Sequence, residues 1–395
     1  MKHPILFLFI PLIIVNQLYS QTAVDSYLNS VNTITTAVPF LMIAPDTRAG
    51  GMGDVGCGTT PDGNSIHWNS AKMAFAPQNF GVSVSYAPWM RALASDMNLA
   101  YLSAYKKMGK NQAIGISLRY FSLGSITFTN DVGEVTGQFT PNEFAVDVAY
   151  SRKLANRLSG GIALRYINSN LTGGYTVGTT KSKVGQSVGA DVSVYYKNDE
   201  IEIGNMKSAF MFGTNISNMG AKMSYSQTSE KDFIPINLRI GSGLKLDFDD
   251  YNSLGIYLDL NKLLVPTNPH YDSTGAIDAG MDPNVAVPQG MIQSFYDAPG
   301  GFKEELREIT YSSGLEYWYD KQFAVRAGYF YEHPTKGNRQ YVTLGAGVRY
   351  NIFGLDFAYL IPTTQHNPLE NTLRFTLTFD FAALKAQQTA TPPKS

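Results

Sequence analysis

The chain has 395 residues, a formal net charge of −1 and a single cysteine, Cys57. Charged residues make up 16% of it, below the roughly 25% of soluble domains, whereas tyrosine (24), phenylalanine (22) and glycine (36) are abundant. The near-zero net charge predicts no nucleic-acid partner, and one cysteine excludes an intrachain disulfide.

The amino-terminal residues have the pattern of a secretory signal peptide. A basic start at Lys2 is followed by an apolar run over residues 5–15 and a more polar end that closes on Ser20. No later segment reaches the roughly 18 apolar residues of a spanning helix. We expect residues 1–20 to be removed, so that the mature chain begins near Gln21, outside the cytoplasm.

Residues 38–75 lack the pattern of a strand, and we predict that residues 21–78 form an amino-terminal segment and a plug inside a barrel. Glycines allow this segment to approach a barrel wall closely. Its apolar residues, such as Phe40, argue against the alternative, a flexible linker. The residues assigned to the plug site are Arg48, Gly50, Gly51, Met52, Gly53, Asp54, His67, Trp68 and Asn69.

Two short motifs match enzyme signatures but lack the surrounding structure. Residues 51–56 fit G-x-G-x-x-G, and residues 185–189 fit G-x-S-x-G. Neither lies between a predicted strand and a predicted helix, which both sites require. No two of the five histidines have the helical spacing of metal ligands. We therefore predict no catalytic residue, no cofactor and no metal site.

From residue 79 to residue 381 the sequence alternates between apolar and polar positions. Leu373, Phe375 and Leu377 fall on one face, for example, and Arg374 and Thr376 on the other. A strand with one wholly apolar face is typical of a membrane β-barrel. Fourteen such segments cover approximately residues 79–89, 96–107, 110–123, 139–151, 156–169, 184–197, 206–218, 233–247, 251–263, 306–319, 322–333, 338–351, 353–362 and 369–381.

The connections between these segments alternate in length. Brief turns at residues 108–109, 154–155 and 320–321 alternate with long loops, with two exceptions: residues 198–205 are intermediate on the short side, and residues 334–337 are short on the long side. Outer-membrane barrels have short periplasmic turns and long extracellular loops. The sequence thus predicts an all-β, 14-stranded antiparallel transmembrane barrel with both termini periplasmic and residues 382–395 as a tail. A soluble sandwich is the alternative.

Charged residues recur at the inward positions of these strands. We predict that they pair with one another and hold the plug, the alternative being an anion-selective pore. Arg165 is expected between strands carrying Asp147 and Asp191, and Arg349 is expected to face Asp356 across a tight turn. The network comprises Arg119, Arg165, Arg239, Arg326, Arg349, Arg374, Asp147, Asp191 and Asp356.

The longest connection, residues 264–305, is unusually rich in proline and apolar residues. Strand parity places it on the cell exterior, where it either folds over the barrel mouth or contacts another protein. Its candidate partner-binding residues are Tyr271, Met281, Met291, Ile292, Phe295, Tyr296 and Phe302.

The plug sequence also resembles a known family. Residues 48–54 (RAGGMGD), followed by residues 67–72 (HWNSAK), resemble the amino-terminal signature of FadL-like outer-membrane barrels. With the lead-in at residues 38–46, the string is similar to PorV, the FadL-like barrel family of the type IX secretion system. Ser70 departs from the commoner Trp-Asn-Pro-Ala form of this signature.

The resemblance implies a fourteen-stranded plugged barrel without enzyme activity that shuttles cargo. Such proteins receive secreted cargo from the translocon, called Sov or SprA, and they recognise the carboxy-terminal signal domain of that cargo. They then deliver the cargo to the attachment complex containing PorU. Cargo is held through the extracellular loops. The alternatives are a FadL-type transporter of hydrophobic small molecules and a related barrel such as PorQ or PorP.

Overall fold

The computed structural model describes residues 31–381 except positions 92, 131, 175, 178, 179, 205, 227–230, 365 and 366. The predicted signal peptide and the tail at residues 382–395 lie outside the described residues. No helix in the described part of the chain has both the length and the apolar character needed to cross a membrane.

Fourteen antiparallel strands close into a barrel, as predicted. The first strand pairs with the last, with Gly81 opposite Asp380 and Tyr86 opposite Phe375. In chain order the strands are β1 (Phe80–Pro88), β2 (Asn98–Met108), β3 (Gln112–Ser122), β4 (Asn142–Ala155), β5 (Leu158–Asn170), β6 (Gly185–Ile203), β7 (Met206–Gly220), β8 (Asn237–Asp247), β9 (Asn252–Leu263), β10 (Thr310–Tyr319), β11 (Phe323–Tyr331), β12 (Gln340–Tyr350), β13 (Phe353–Pro362) and β14 (Thr372–Asp380).

The alternation of side chains separates the two faces of the barrel wall. In β14, Phe375 and Leu377 are exposed on the outside, whereas Arg374 and Thr376 are buried on the inside. Aromatic rings also pair on the wall, such as Phe353 with Phe379 at 5.7 Å between centroids. An apolar outer face with aromatic residues near its edge suits contact with lipid.

Strands β6 and β7 are longer than the sequence predicted. Their pairing continues past a bulge between Asn198 and Ile201 and reaches Ile203 opposite Met206. The two strands therefore continue to Ile203 and from Met206, and the intermediate loop predicted at residues 198–205 was wrong. This correction removes the exception on the short side, so all six connections at this end of the barrel, the short-turn end, are short.

The opposite end, the long-loop end, carries the remaining connections and additional structure. Two short α-helices lie within the longest connection, and a 3₁₀-helix lies between β11 and β12. These helices are Val287–Gln293, Phe302–Arg307 and Pro334–Lys336; three two-stranded ribbons pair Ile126–Thr129 with Val135–Phe139, Thr176–Val177 with Thr180–Lys181, and His270–Tyr271 with Ile277–Ala279.

The chain before β1 passes through the barrel from the long-loop end to the short-turn end. The Asn32 backbone N–H donates to the Thr335 carbonyl at 2.9 Å, and that of Ala37 donates to the Phe233 carbonyl at 2.9 Å. Inside the barrel the chain forms short helices at Pro39–Met42, Thr47–Gly50, Ser65–Trp68 and Ser70–Phe75.

The prediction that both termini are periplasmic placed them at the short-turn end. The terminal residues themselves, 1–30 and 382–395, lie outside the described residues. Within the described chain, β14 ends at the short-turn end at Asp380, and Asn32 and Ala37 lie at the long-loop end.

Candidate functional site

The plug backbone lies directly against the barrel wall. Gly53 has a φ of 70°, and a Cβ atom on it would be 2.6 Å from the Tyr329 carbonyl oxygen. Its N–H donates to Thr343 Oγ1 at 2.8 Å. Only glycine combines this backbone conformation with so close an approach, which explains the glycine-rich string at residues 50–53.

Two polar side chains order the plug internally. Asp46 accepts hydrogen bonds from the Ala49 N–H at 3.0 Å and from Trp68 Nε1 at 2.6 Å, so it caps one short helix and fixes the next. Lys72 is fully buried, and its Nζ donates to the Gly56 carbonyl and to Thr59 Oγ1, both at 2.7 Å. Sequence reasoning missed both residues, although Asp46 directly before a short helical segment is a capping signal.

A chain of ion pairs joins the plug to the barrel. Arg48 of the plug donates to both carboxylate oxygens of Glu316, at 2.8 and 2.6 Å, and Arg326 donates to the same carboxylate at 2.9 Å. Asp356 then bridges Arg326 at 2.8 Å and Arg349 at 2.7 Å. Because Arg48, Glu316, Arg326 and Asp356 are all buried, each charge depends on these partners.

Two further arginines of the predicted network contact carboxylates. Arg165 lies between Asp147 and Asp191, at 2.5 and 3.2 Å, and also donates to the Asn218 side chain. Arg374 contacts Asp54 of the plug at 2.6 Å. The first group ties neighbouring strands together, and the second ties a strand to the plug.

Arg119 and Arg239 contact the plug without an ion pair among the described residues. Arg119 donates to the carbonyls of Phe40 and Leu41, at 3.1 and 2.7 Å, and to His67 Nδ1 at 2.6 Å. Arg239 stacks over the Trp68 ring at 4.6 Å and donates through Nε to Asn261 at 2.5 Å. Pairing with carboxylates therefore accounts for only part of this inward network.

Sequence reasoning also missed an ion-pair cluster that anchors the longest connection. Lys262 Nζ contacts Glu305 at 2.9 Å and Glu308 at 2.7 Å, and Lys336 Nζ contacts Glu304 at 2.5 Å and Glu308 at 3.0 Å. All five side chains are buried. No periodic pattern indicated this cluster, because its members come from β9, the end of the long connection and the β11–β12 hairpin.

The helix Phe302–Arg307 buries its acidic side and exposes its apolar side, which is the reverse of an ordinary surface helix; we call it the inverted helix. Its acidic residues Glu304 and Glu305 are buried against the lysines, whereas Phe302 is 76% exposed and Leu306 is 47% exposed. Surface helices normally bury their apolar side. The inversion fixes an apolar surface toward the solvent at the long-loop end.

The predicted partner-binding residues contribute to the same end of the molecule. Six of them are exposed, while Met291 is half-buried and packs against the apolar cluster at the barrel mouth, so it does not join the exposed surface. We call the exposed set the loop surface: Tyr271, Met281, Ile292, Phe295, Tyr296, Phe302 and Leu306.

Asp297 makes the long connection sensitive to pH. Its buried side chain accepts from the Thr267 N–H at 3.1 Å. Burial, and then the charges of Glu305 and Glu308, raise the pKa of Asp297 to about 6. The folded protein therefore favours protonated Asp297. The stability that comes from this protonated carboxyl group is lost as the pH rises through about 6.

We expect Asp297→Asn to stabilise the segment at pH 7 by about 1 kcal/mol, because asparagine keeps the acceptor and removes the charge. The gain should disappear below about pH 4, where both folded and unfolded Asp297 are protonated. Limited proteolysis of residues 264–309 across this pH range measures it. A gain that is equal at pH 4 and pH 7 would contradict the electrostatic cause.

Among the described residues, no group of three histidine, cysteine, aspartate or glutamate side chains is arranged to hold a metal ion. Cys57 is a buried free thiol within the plug. Among the described residues, the inward ion pairs link strands to one another and to the plug, and we call them the brace; the loop surface is exposed and apolar.

Comparison with known proteins identifies the family. The family model for the type IX secretion system protein PorV matches residues 26–270. The chain belongs to the PorV family. It is an outer-membrane component of type IX secretion, and its long-loop end faces the cell exterior while its short turns face the periplasm.

Solved structures that resemble this PorV-family barrel include two toluene transporters and a FadL homologue. The Pseudomonas putida toluene transporter TodX has 12% identity and a TM-score of 0.46, covering 85% of this chain and 98% of that one. The Ralstonia pickettii toluene transporter TbuX has 10% identity and a TM-score of 0.45, covering 85% and 97%. A Pseudomonas aeruginosa FadL homologue has 13% identity and a TM-score of 0.42, covering 89% and 99%. No curated protein matches the chain.

Proposed function

We propose that this PorV-family barrel is a non-enzymatic shuttle of type IX secretion. It binds secreted cargo through the cargo's carboxy-terminal signal domain, collects it from the translocon Sov or SprA, and delivers it to the cell-surface attachment complex containing PorU. The loop surface is the contact site for these proteins.

The inverted helix Phe302–Arg307 is the observation that carries this proposal. Its buried glutamates hold it against Lys262 and Lys336, so that Phe302 and Leu306 remain exposed in a fixed position. Exposed apolar surfaces of this kind mark sites of protein association. A surface that is already rigid also loses little conformational freedom when it binds.

The plugged lumen argues for a docking role over a conduit. Arg48, Arg374 and Arg119 attach the plug to separate parts of the wall. A FadL-type transporter of hydrophobic molecules would need a path through or beside this plug. The brace would have to open for such a path, at the cost of several buried ion pairs.

The test is a pull-down of the tagged protein from native outer membrane in mild detergent, followed by mass spectrometry. The shuttle predicts recovery of the translocon, of PorU, or of several secreted proteins that share a carboxy-terminal domain. Recovery of the barrel alone with a bound fatty acid or other hydrophobic molecule would favour the transporter.

A further inference from the structure

A cavity of about 290 Å³ lies at the long-loop end between the plug and the inner wall. Strands β8, β9, β11 and β12 form its sides, and Asp54 and Trp68 of the plug lie at its floor. Thr33 and Pro39, which also line it, are exposed to solvent, so the cavity opens toward the cell exterior.

The charged residues of this cavity are nearly all paired. Arg339 contacts Glu332 through two hydrogen bonds at 2.9 and 2.8 Å. Lys336 contacts Glu308, and Asp54 contacts Arg374. These groups therefore offer little unsatisfied charge to a ligand.

Arg239 is different, because it has no carboxylate oxygen within 4 Å among the described residues. It is only 7% exposed. Its guanidinium lies over the Trp68 ring at 4.6 Å, and its Nε donates to Asn261. The charge of Asp259 acts on this guanidinium, although the two side chains form no ion pair within 4 Å among the described residues. Arg239 lines the cavity, and the fork of its terminal nitrogens matches a carboxylate.

The rest of the cavity fits a narrow apolar chain. Ile34, Met42, Leu263 and Phe330 contribute apolar lining. The volume is at the lower end of the roughly 300–1,000 Å³ of small-molecule pockets, so it admits the end of a chain but not a folded segment.

We propose that this cavity binds a terminal carboxylate on a narrow apolar chain, with Arg239 as the residue that receives the carboxylate. The carboxyl terminus of a peptide and a free aliphatic acid both supply this chemistry. The proposal does not depend on the shuttle function, because a ligand from either source would occupy the same site.

The test is calorimetric titration of the full-length purified barrel with two matched pairs of probes. One pair is an acetylated apolar hexapeptide and its carboxy-terminal amide; the other is hexanoate and hexanamide. At least one acid should bind about tenfold or more tightly than its amide, because a charge-assisted hydrogen bond is lost in the amide. Binding of the peptide acid only identifies a peptide terminus as the source, and binding of hexanoate only identifies a free acid.

Variants locate the site. Arg239→Gln should weaken acid binding about tenfold or more, and Arg239→Lys should restore part of it. Thr36→Trp, which fills the cavity from another lining position and leaves Arg239 in place, should also block binding. Arg157→Gln is the matched control, because Arg157 lies outside the cavity and forms an exposed pair with Glu200 at the short-turn end.

Equal binding of acid and amide, no binding of either acid, or unchanged binding by a folded Arg239→Gln barrel would each overturn the proposal. Faster migration of the unheated sample on SDS gels establishes that the variant barrel is folded. If the barrel binds carboxylates but the pull-down recovers no secretion protein, the proposed shuttle function is rejected and the proposed carboxylate site is retained.

Discussion

Glu316→Ala is expected to destabilise the barrel by about 3 kcal/mol and to loosen the plug. Glu316 accepts hydrogen bonds from Arg48 of the plug and from Arg326 of the neighbouring strand. Removing one partner of a buried ion pair leaves an uncompensated buried charge. Arg48 keeps Asp62, and Arg326 keeps Asp356, so the loss should be large but not complete.

Thermal unfolding of the purified barrel measures this loss, and planar-bilayer conductance reports whether the plug has moved. The wild-type barrel should show no steady conductance, whereas Glu316→Ala should show intermittent openings. Glu316→Gln should fall between them, because glutamine keeps the shape and one acceptor.

The exposed pair Arg157–Glu200 at the short-turn end provides the control for this experiment. Glu200→Ala should leave the melting temperature unchanged, because water screens the pair and replaces its hydrogen bonds. If Glu316→Ala and Glu200→Ala melt alike, the chain of ion pairs is not a brace. Steady, anion-selective conductance in the wild type would instead favour the pore interpretation of the inward arginines.

The barrel could be predicted from sequence because its physical constraint repeats. Each strand must present apolar residues to lipid and polar residues to the interior, so residues such as Phe375 and Arg374 alternate with period two. The end of β6 escaped prediction. Its last residues, Asp199 to Ile203, do not alternate in burial, although residues 200–203 alternate between glutamate and isoleucine in the sequence.

Contacts in the site were predictable only between neighbouring strands. Arg165 could be assigned to Asp147 and Asp191 because pairing order alone places their strands side by side. Arg48 with Glu316, separated by 268 positions, could not be assigned, since nothing in the local sequence fixes how the plug threads the barrel. The same applies to Arg239 over Trp68 and to the lysine cluster under the long connection.

Replacing the exposed aromatic residues of the long connection is expected to abolish recovery of secretion partners. The variant carries Phe295→Ser, Tyr296→Ser and Phe302→Ser, three exposed residues of the loop surface. Exposed aromatic residues that become buried at an interface often contribute about 2 kcal/mol or more each. Losing all three should reduce affinity by well over a hundredfold, which in a pull-down appears as loss of the partner.

The barrel itself should tolerate these changes, because the three side chains are exposed and Lys262 keeps both of its carboxylate partners. Phe295 lies over Lys262 Nζ at 5.8 Å, so its loss should cost at most about 1 kcal/mol in thermal unfolding. The matched control is Val132→Ser with Val135→Ser, which removes exposed apolar side chains from the β3–β4 connection at the same end. If both variants lose their partners, binding requires general apolar exposure at this end; if neither does, the loop surface is not the docking site. Loss from the aromatic variant alone assigns partner binding to the long connection.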